Sequence, residues 1–177
     1  MTADRIALTP VRVADGPQLF EWINDRDLVL LNMGYRPVDE TSHRAWLQGV
    51  SRRRDRVVFA IRIKTTKRLI GVCQLHGIHP VHRFAELQIR IGQGRDQGRG
   101  LGSEAVRALV EFGFRDLNLR RIFLHVFEDN ERAVRAYLRA GFAIEGTLRE
   151  AFYVDGRYRN VLVMALMRPP ADEGAGR

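Results

Sequence analysis

From Phe84 to Ile91 the chain reads FAELQIRI, and the alternation is clean. Ala85, Leu87, Ile89 and Ile91 share one face, and Glu86, Gln88 and Arg90 the other, which is the period of a half-buried strand. The next fourteen residues, GQGRDQGRGLGSEA, hold five glycines. A helix follows from about Gly100 to Leu117, with Leu101, Ala105, Ala108, Leu109 and Phe112 on one side. Glycine loses more backbone entropy on folding than any other residue. Its concentration before a helix start therefore points to close approach of backbone N–H groups to a ligand, typically a phosphate.

The rest of the chain supplies a sheet to carry that unit. Ile6 to Val13 has strand character, and Asp15 is placed to cap a helix bearing Leu19, Phe20, Trp22 and Ile23. NMGYRP (32–37) reads as a loop, and a second helix begins near Glu40 or Thr41 and continues to Val50. Val57–Ile63 and Leu69–Ile78 pair as a hairpin across KTTKR. After the glycine loop and its helix come a strand, Arg121–Phe127, and a helix over Asn130–Ala140 that stops at Gly141. Phe142–Val154 and Tyr158–Met167 close the chain as a hairpin about Asp155-Gly156. The reading is one α+β domain over residues 1–168 with a mixed sheet, and a disordered tail over 169–177.

Several functions are excluded or demoted by the same residues. A P-loop needs Gly-Lys, and no such pair exists. Gly100-x-Gly102-x-x-Ala105 fits the loose dinucleotide fingerprint, but its strand ends too early and Asp116 falls inside the helix. No apolar run reaches the length of a membrane span, and MTADRIALTP lacks a signal-peptide core, so a cytoplasmic protein is expected. Cys73 has no partner for a disulfide, and no metal-ligand spacing is present. The net charge is +8, yet Lys64 and Lys67 are the only lysines among 29 basic residues, an arginine bias that suits a GC-rich genome. Arg52, Arg53, Arg54 and Arg56 read as a solvated helix end. Without aromatic-and-basic interleaving, nucleic acid is not the expected partner.

Gln97-Gly98-Arg99-Gly100-Leu101-Gly102 also fits Gln/Arg-x-x-Gly-x-Gly/Ala, the pyrophosphate loop of the GNAT superfamily of acyl-CoA-dependent N-acyltransferases. The chain resembles that family in order as well: strand, loop, helix, strand, then Asn130, Ala133, Tyr137 and the pair Gly141-Phe142. The likeness is strongest over residues 69–168. The chain is similar to the branch containing ribosomal-protein alanine and spermidine acetyltransferases, and HPVHRFAELQI and GTLREAFYVDGRYRNVLVM resemble the latter.

The resemblance implies a GNAT-like fold. Its central sheet is mixed, mostly antiparallel and twisted, splays between two parallel strands and is flanked by about four helices. It also implies acetyl-CoA as co-substrate and transfer of acetyl to a primary amine within a ternary complex. Gln97, Gly98, Arg99, Gly100, Leu101, Gly102 and Ser103 would cradle the diphosphate; Ile89, Arg90 and Ile91 would offer backbone to the pantetheine arm; Asn130 would contact that arm or cap its helix. Arg95 and Arg99 add charge at the rim or are simply solvated. Tyr137 would be the acid toward the coenzyme sulfur, or a core tyrosine.

Glu86, on a polar strand face that implies a cleft, would be the base, or would orient the amine, or would pair with Arg90 or another arginine. His82 and His125 are weaker candidates, and a water chain could replace a dedicated base. The acceptor is a small-molecule amine or a protein N-terminus, with a polyamine as alternative. The overall positive charge makes a polycation less comfortable. A non-catalytic acyl-CoA-binding module stays open, and exposed hairpin edges allow a homodimer.

Overall fold

A computed structural model describes residues 3–31, 34–92 and 94–170. Asn32 and Met33 of the 32–37 loop, Gln93, and residues 171–177 of the expected tail lie outside them. All seven strands form one sheet, in the order β1-β2-β3-β4-β5-β7-β6. These are β1 (Ile6–Pro10), β2 (Arg56–Ile63), β3 (Leu69–His79), β4 (Phe84–Ile91), β5 (Arg121–Phe127), β6 (Ala143–Val154) and β7 (Arg157–Met167). Every neighbouring pair is antiparallel except β4–β5.

That parallel pair positions the site. β4 and β5 pair only from Phe84–Arg121 to Glu86–Phe123; beyond this register the strands part. β4 continues to Ile91 with partners on β3 alone, and β5 continues to Phe127 with partners on β7. The backbone of residues 87–91 therefore presents its β5-facing groups to a gap, and unpaired backbone groups need partners.

Five α-helices flank the sheet: α1 (Gly16–Asn24), α2 (Arg26–Val29), α3 (Glu40–Gly49), α4 (Leu101–Arg115) and α5 (Glu131–Arg139). This is one more than the sequence suggested. The extra element, α2, is a single turn whose N-cap Asp25 accepts from the Leu28 N–H, too short to leave a periodic signal. On one side of the sheet, Leu101, Ala105, Val106 and Leu109 of α4 pack with Ala85 and Leu87 of β4 in the main core. On the other, Leu19 and Trp22 of α1 and Leu28 of α2 form a smaller cluster with Trp46, Leu69 and Val72.

Two polar placements differ from expectation. Asp15 precedes α1 but its side chain does not cap that helix. It is buried and takes both oxygens to Arg62 Nη2, at 2.6 and 2.7 Å, while also accepting from the Arg12 N–H. A guanidinium on the sheet, remote in sequence, outcompeted the local cap. Arg56 is the first residue of β2 rather than part of a solvated helix end, and its side chain lines a cleft.

Candidate active site

β4 divides its side chains as the alternation predicts. Ala85 and Leu87 are buried in the core, while Glu86, Gln88 and Arg90 face a cleft of about 680 Å³. Helices α1 and α3 cover it with Leu19, Trp22, His43 and Trp46, and the closing hairpin contributes Leu148 and Phe152. Trp22 lies so close over Gly92 that a Cβ there would sit 2.0 Å from its ring, so glycine is required at the end of β4 for α1 to seat.

The glycine loop starts with a 3-10 turn, Gly94–Asp96. Asp96 is buried and accepts from Arg68 through both oxygens, each at 2.7 Å, which pins the loop to the base of β3. The Arg68 guanidinium holds the Asp96 carboxyl below its usual range. Gln97 links the two sides of the gap: its Nε2 donates to the Ile91 carbonyl at 3.3 Å, and its Oε1 accepts from Arg132 of α5 at 2.9 Å. Gly98 and Gly100 have φ of +72° and +79°, a left-handed backbone that glycine adopts without a Cβ penalty. The backbone conformation, as much as room for a ligand, explains these two glycines.

Gly100 is the N-cap of α4 and offers no side chain to it. Glu104, in the first turn, does not fold back to the helix end: its carboxylate accepts from the Arg5 N–H and pairs with the Arg5 guanidinium. Burial would raise that carboxyl, but these bonds outweigh it and hold it below the usual range. The N–H groups of Leu101, Gly102 and Ser103 are thus left without partners among the described residues. They form an uncapped helix N-terminus with partial positive charge, and they fit an anion. Leu101 turns its side chain into the core and contributes backbone only. Arg95 and Arg99 are exposed beside the loop.

The cleft reaches the point where β4 and β5 part. There Glu86 Oε1 lies 2.8 Å from His125 Nδ1, and Glu86 Oε2 lies 3.7 Å from His76 Nε2. Pairing of Glu86 with Arg90, the sequence alternative, does not occur. Glu86 and Phe123 are in register on the parallel strands, so His125, two residues farther along β5, reaches Glu86 across the point where they part. Burial lowers the basicity of His76; Glu86 acts against that and Arg56 acts with it. His82 sits on a turn stacked against His79, outside this cleft.

Tyr137 reaches the same cleft from α5, packed against Phe142 with ring centroids 5.9 Å apart. Burial pushes its phenol up to about 12, so the hydroxyl keeps its proton and can serve as a hydrogen-bond donor. Asn130 caps α5, accepting from the Ala133 N–H at 3.3 Å and donating to the Leu31 carbonyl at 3.4 Å. The cleft is lined by Glu86, His125 and Tyr137, and the uncapped end of α4 lies beside the end of β4, where a Cβ on Gly102 would sit 3.5 Å from the Ile91 side chain.

Residues 5–143 match the acetyltransferase (GNAT) domain family. This chain belongs to the GNAT acetyltransferases. Over 98 residues this GNAT domain is 39% identical to spermidine N(1)-acetyltransferase of Escherichia coli K12, a match covering 55% of this chain and 52% of that protein. Over 97 residues it is 32% identical to the ribosomal-protein-serine acetyltransferase of the same strain, covering 55% and 54%. The chain thus spans about half the length of the curated relatives it matches. Its fold superimposes on spermidine N-acetyltransferase from Vibrio cholerae, solved with CoA and spermine, with a TM-score of 0.86 and 27% identity over 92% of this chain and 95% of that one.

The structure gathers Glu86, Tyr137, Ile89 and Arg90 along one cleft, whereas Ile91, residues 97–103 and Asn130 do not line it. The sequence reading missed Gln74, Gln88, Arg56 and His76, and ranked His125 low. Gln88 shares the polar face that the alternation assigns to Glu86, whereas Gln74 and His76 depend on cross-strand register, which no local pattern reveals.

Proposed function

We propose that this GNAT domain transfers the acetyl group of acetyl-CoA to a primary amine by direct attack in a ternary complex. The observation that carries the reading is the uncapped amide end of α4 lying beside the end of β4, which has parted from β5, while Tyr137 lines the cleft on that strand's polar face. Backbone N–H groups of residues 98–103 bind the diphosphate. The free edge of Ile89–Ile91 pairs with the pantetheine arm, which replaces the missing strand contact, and Asn130 approaches from the other side. The Ile91 carbonyl is already engaged by Gln97, so the arm draws chiefly on the groups before it.

The acceptor amine must be neutral to attack. Glu86, oriented by His125, accepts its proton directly or through a water. As the new C–N bond forms and the C–S bond breaks, the electron pair stays on sulfur. The Tyr137 hydroxyl then stabilises the departing thiolate by donating a hydrogen bond. Full proton transfer is uphill, since the phenol is well above a thiol of about 8.5.

A polyamine acceptor is the second reading, supported by the similarity to spermidine acetyltransferases. The exposed strand β6, with Ile144, Leu148 and Phe152 open to solvent, supports self-association. The test is release of free thiol from acetyl-CoA across a panel of amines. Amine-dependent release is expected; binding of acetyl-CoA with no release for any amine would leave a non-catalytic binding module instead.

A further inference from the structure

Resting on the reading above, we propose that the acceptor carries an anionic group, a carboxylate or a phosphate, in addition to the amine that is acetylated. Arg56 and Arg90 of the cleft would bind that group.

Arginine stays protonated in proteins, and a guanidinium taken out of water without an anion is costly. This chain pairs its arginines widely: Arg5 with Glu104, Arg62 with Asp15, Arg68 with Asp96, Arg121 with Glu145, Arg159 with Asp129. Arg56 and Arg90, which line the cleft, are in no ion pair among the described residues. Each has a buried Nε without a partner among the described residues, as has Arg159, but Arg159 also holds Asp129. The carboxylate beside Arg56, Asp55, is held by Arg53 through two bonds of 2.9 and 2.7 Å. No carboxylate acts on Arg90, whose basicity is lowered by burial alone.

The sheet fixes where these cations stand relative to the chemistry. Arg56, His76 and Glu86 are directly opposite one another on β2, β3 and β4, so their side chains form one row on the cleft face. Two strand spacings place the Arg56 backbone roughly 10 Å from that of Glu86, and four residues of β4 place Arg90 roughly 13 Å away. Both side chains can reach back toward Glu86. Glu86 is the only carboxylate lining the cleft among the described residues, and His125 already occupies one of its oxygens. Gln74 and Gln88, bonded to each other at 2.6 Å, fill the row between with neutral groups. A multiply charged amine would meet two cations and one engaged carboxylate. An amine bearing a carboxylate or phosphate would instead give an arginine the planar, bidentate partner it lacks.

The test uses acceptor pairs that share an amine and differ in the distal charge: 4-aminobutanoate against 1,4-diaminobutane, and phosphoethanolamine against ethanolamine. Initial thiol release from acetyl-CoA gives kcat/KM for each. The anionic member is expected to exceed its partner at least tenfold, and the two pairs separate carboxylate from phosphate preference. Arg90→Met and Arg56→Met should each shrink that ratio by tenfold or more through KM, while the dissociation constant of acetyl-CoA stays within about twofold. Neither variant should lower the melting temperature, because each removes a half-buried guanidinium that is in no ion pair; Arg90→Lys and Arg56→Lys should recover part of the ratio. Diamines equal to or better than their anionic partners, or ratios untouched in both variants, would overturn the inference. If no amine is turned over, the acetyltransferase reading itself fails. The pairs are then compared as ligands by thermal shift with CoA present: a larger rise with the anionic members supports the anion site, and an equal or smaller rise overturns it.

Discussion

Replacing Tyr137 by phenylalanine isolates one atom of the proposed chemistry. The ring packs on Phe142 and lies in the main core, so Tyr137→Phe keeps the packing and removes only the hydroxyl. That hydroxyl belongs to a phenol that burial pushes up to about 12, so it is a donor throughout the working range of pH. A hydrogen bond to a charged partner contributes about 1.5–3 kcal/mol. At about 1.4 kcal/mol per tenfold, losing it from the step in which sulfur gains charge should lower kcat roughly 10- to 150-fold. The ground-state thioester carries little charge on sulfur, so acetyl-CoA affinity should change less than about threefold. The assay is steady-state thiol release alongside calorimetric titration of acetyl-CoA. A kcat within twofold of the parent, or equal losses in kcat and affinity, would refute the donor role. Because the phenol stays neutral, the parent's kcat–pH profile should also show no fall attributable to Tyr137 below pH 10.

Further outcomes follow from the same geometry. Asp96→Asn removes the charge that fastens the loop to Arg68, and acetyl-CoA binding should weaken about tenfold by titration, with S-acetylpantetheine, which has no diphosphate, much less affected. Since the folded-state Asp96 carboxyl is depressed, its stabilising contribution is present above the ordinary carboxylate range and lost as pH falls through it; acid unfolding of Asp96→Asn should therefore be less steep than that of the parent. Gly92→Ala forces a methyl into the Trp22 ring and should lower stability by about 1–3 kcal/mol in denaturant melts, with partial rescue by Trp22→Leu. His125→Asn should reduce kcat/KM most at low pH, where the acceptor amine is protonated, and Glu86→Gln should reduce it at least as far.

What could be read in advance was local. The alternation of β4, the glycine loop and the amphipathic face of α4 each lie within a dozen or so neighbouring residues, and all three stand where the pattern placed them. The family order from Gln97 to Phe142 carried the fold. Contacts between distant segments were not legible. Asp15 looked like a cap because nothing nearby reveals that Arg62, 47 residues on, will face it. Glu86 could be placed in a cleft but not beside His125, because that pairing depends on where two parallel strands separate. Arg56 hid within a run of arginines, and only the register of β2 against β3 assigns it to the cleft rather than to solvent.

The central claim is that the bare amide end of α4 holds the diphosphate of coenzyme A. A crystal structure of the chain grown with CoA measures this directly. The account predicts diphosphate oxygens within hydrogen-bond distance of the backbone nitrogens of Leu101, Gly102 and Ser103, with the pantetheine arm lying in the gap beyond Glu86. A diphosphate bound elsewhere, with those three amides turned to solvent, would contradict it.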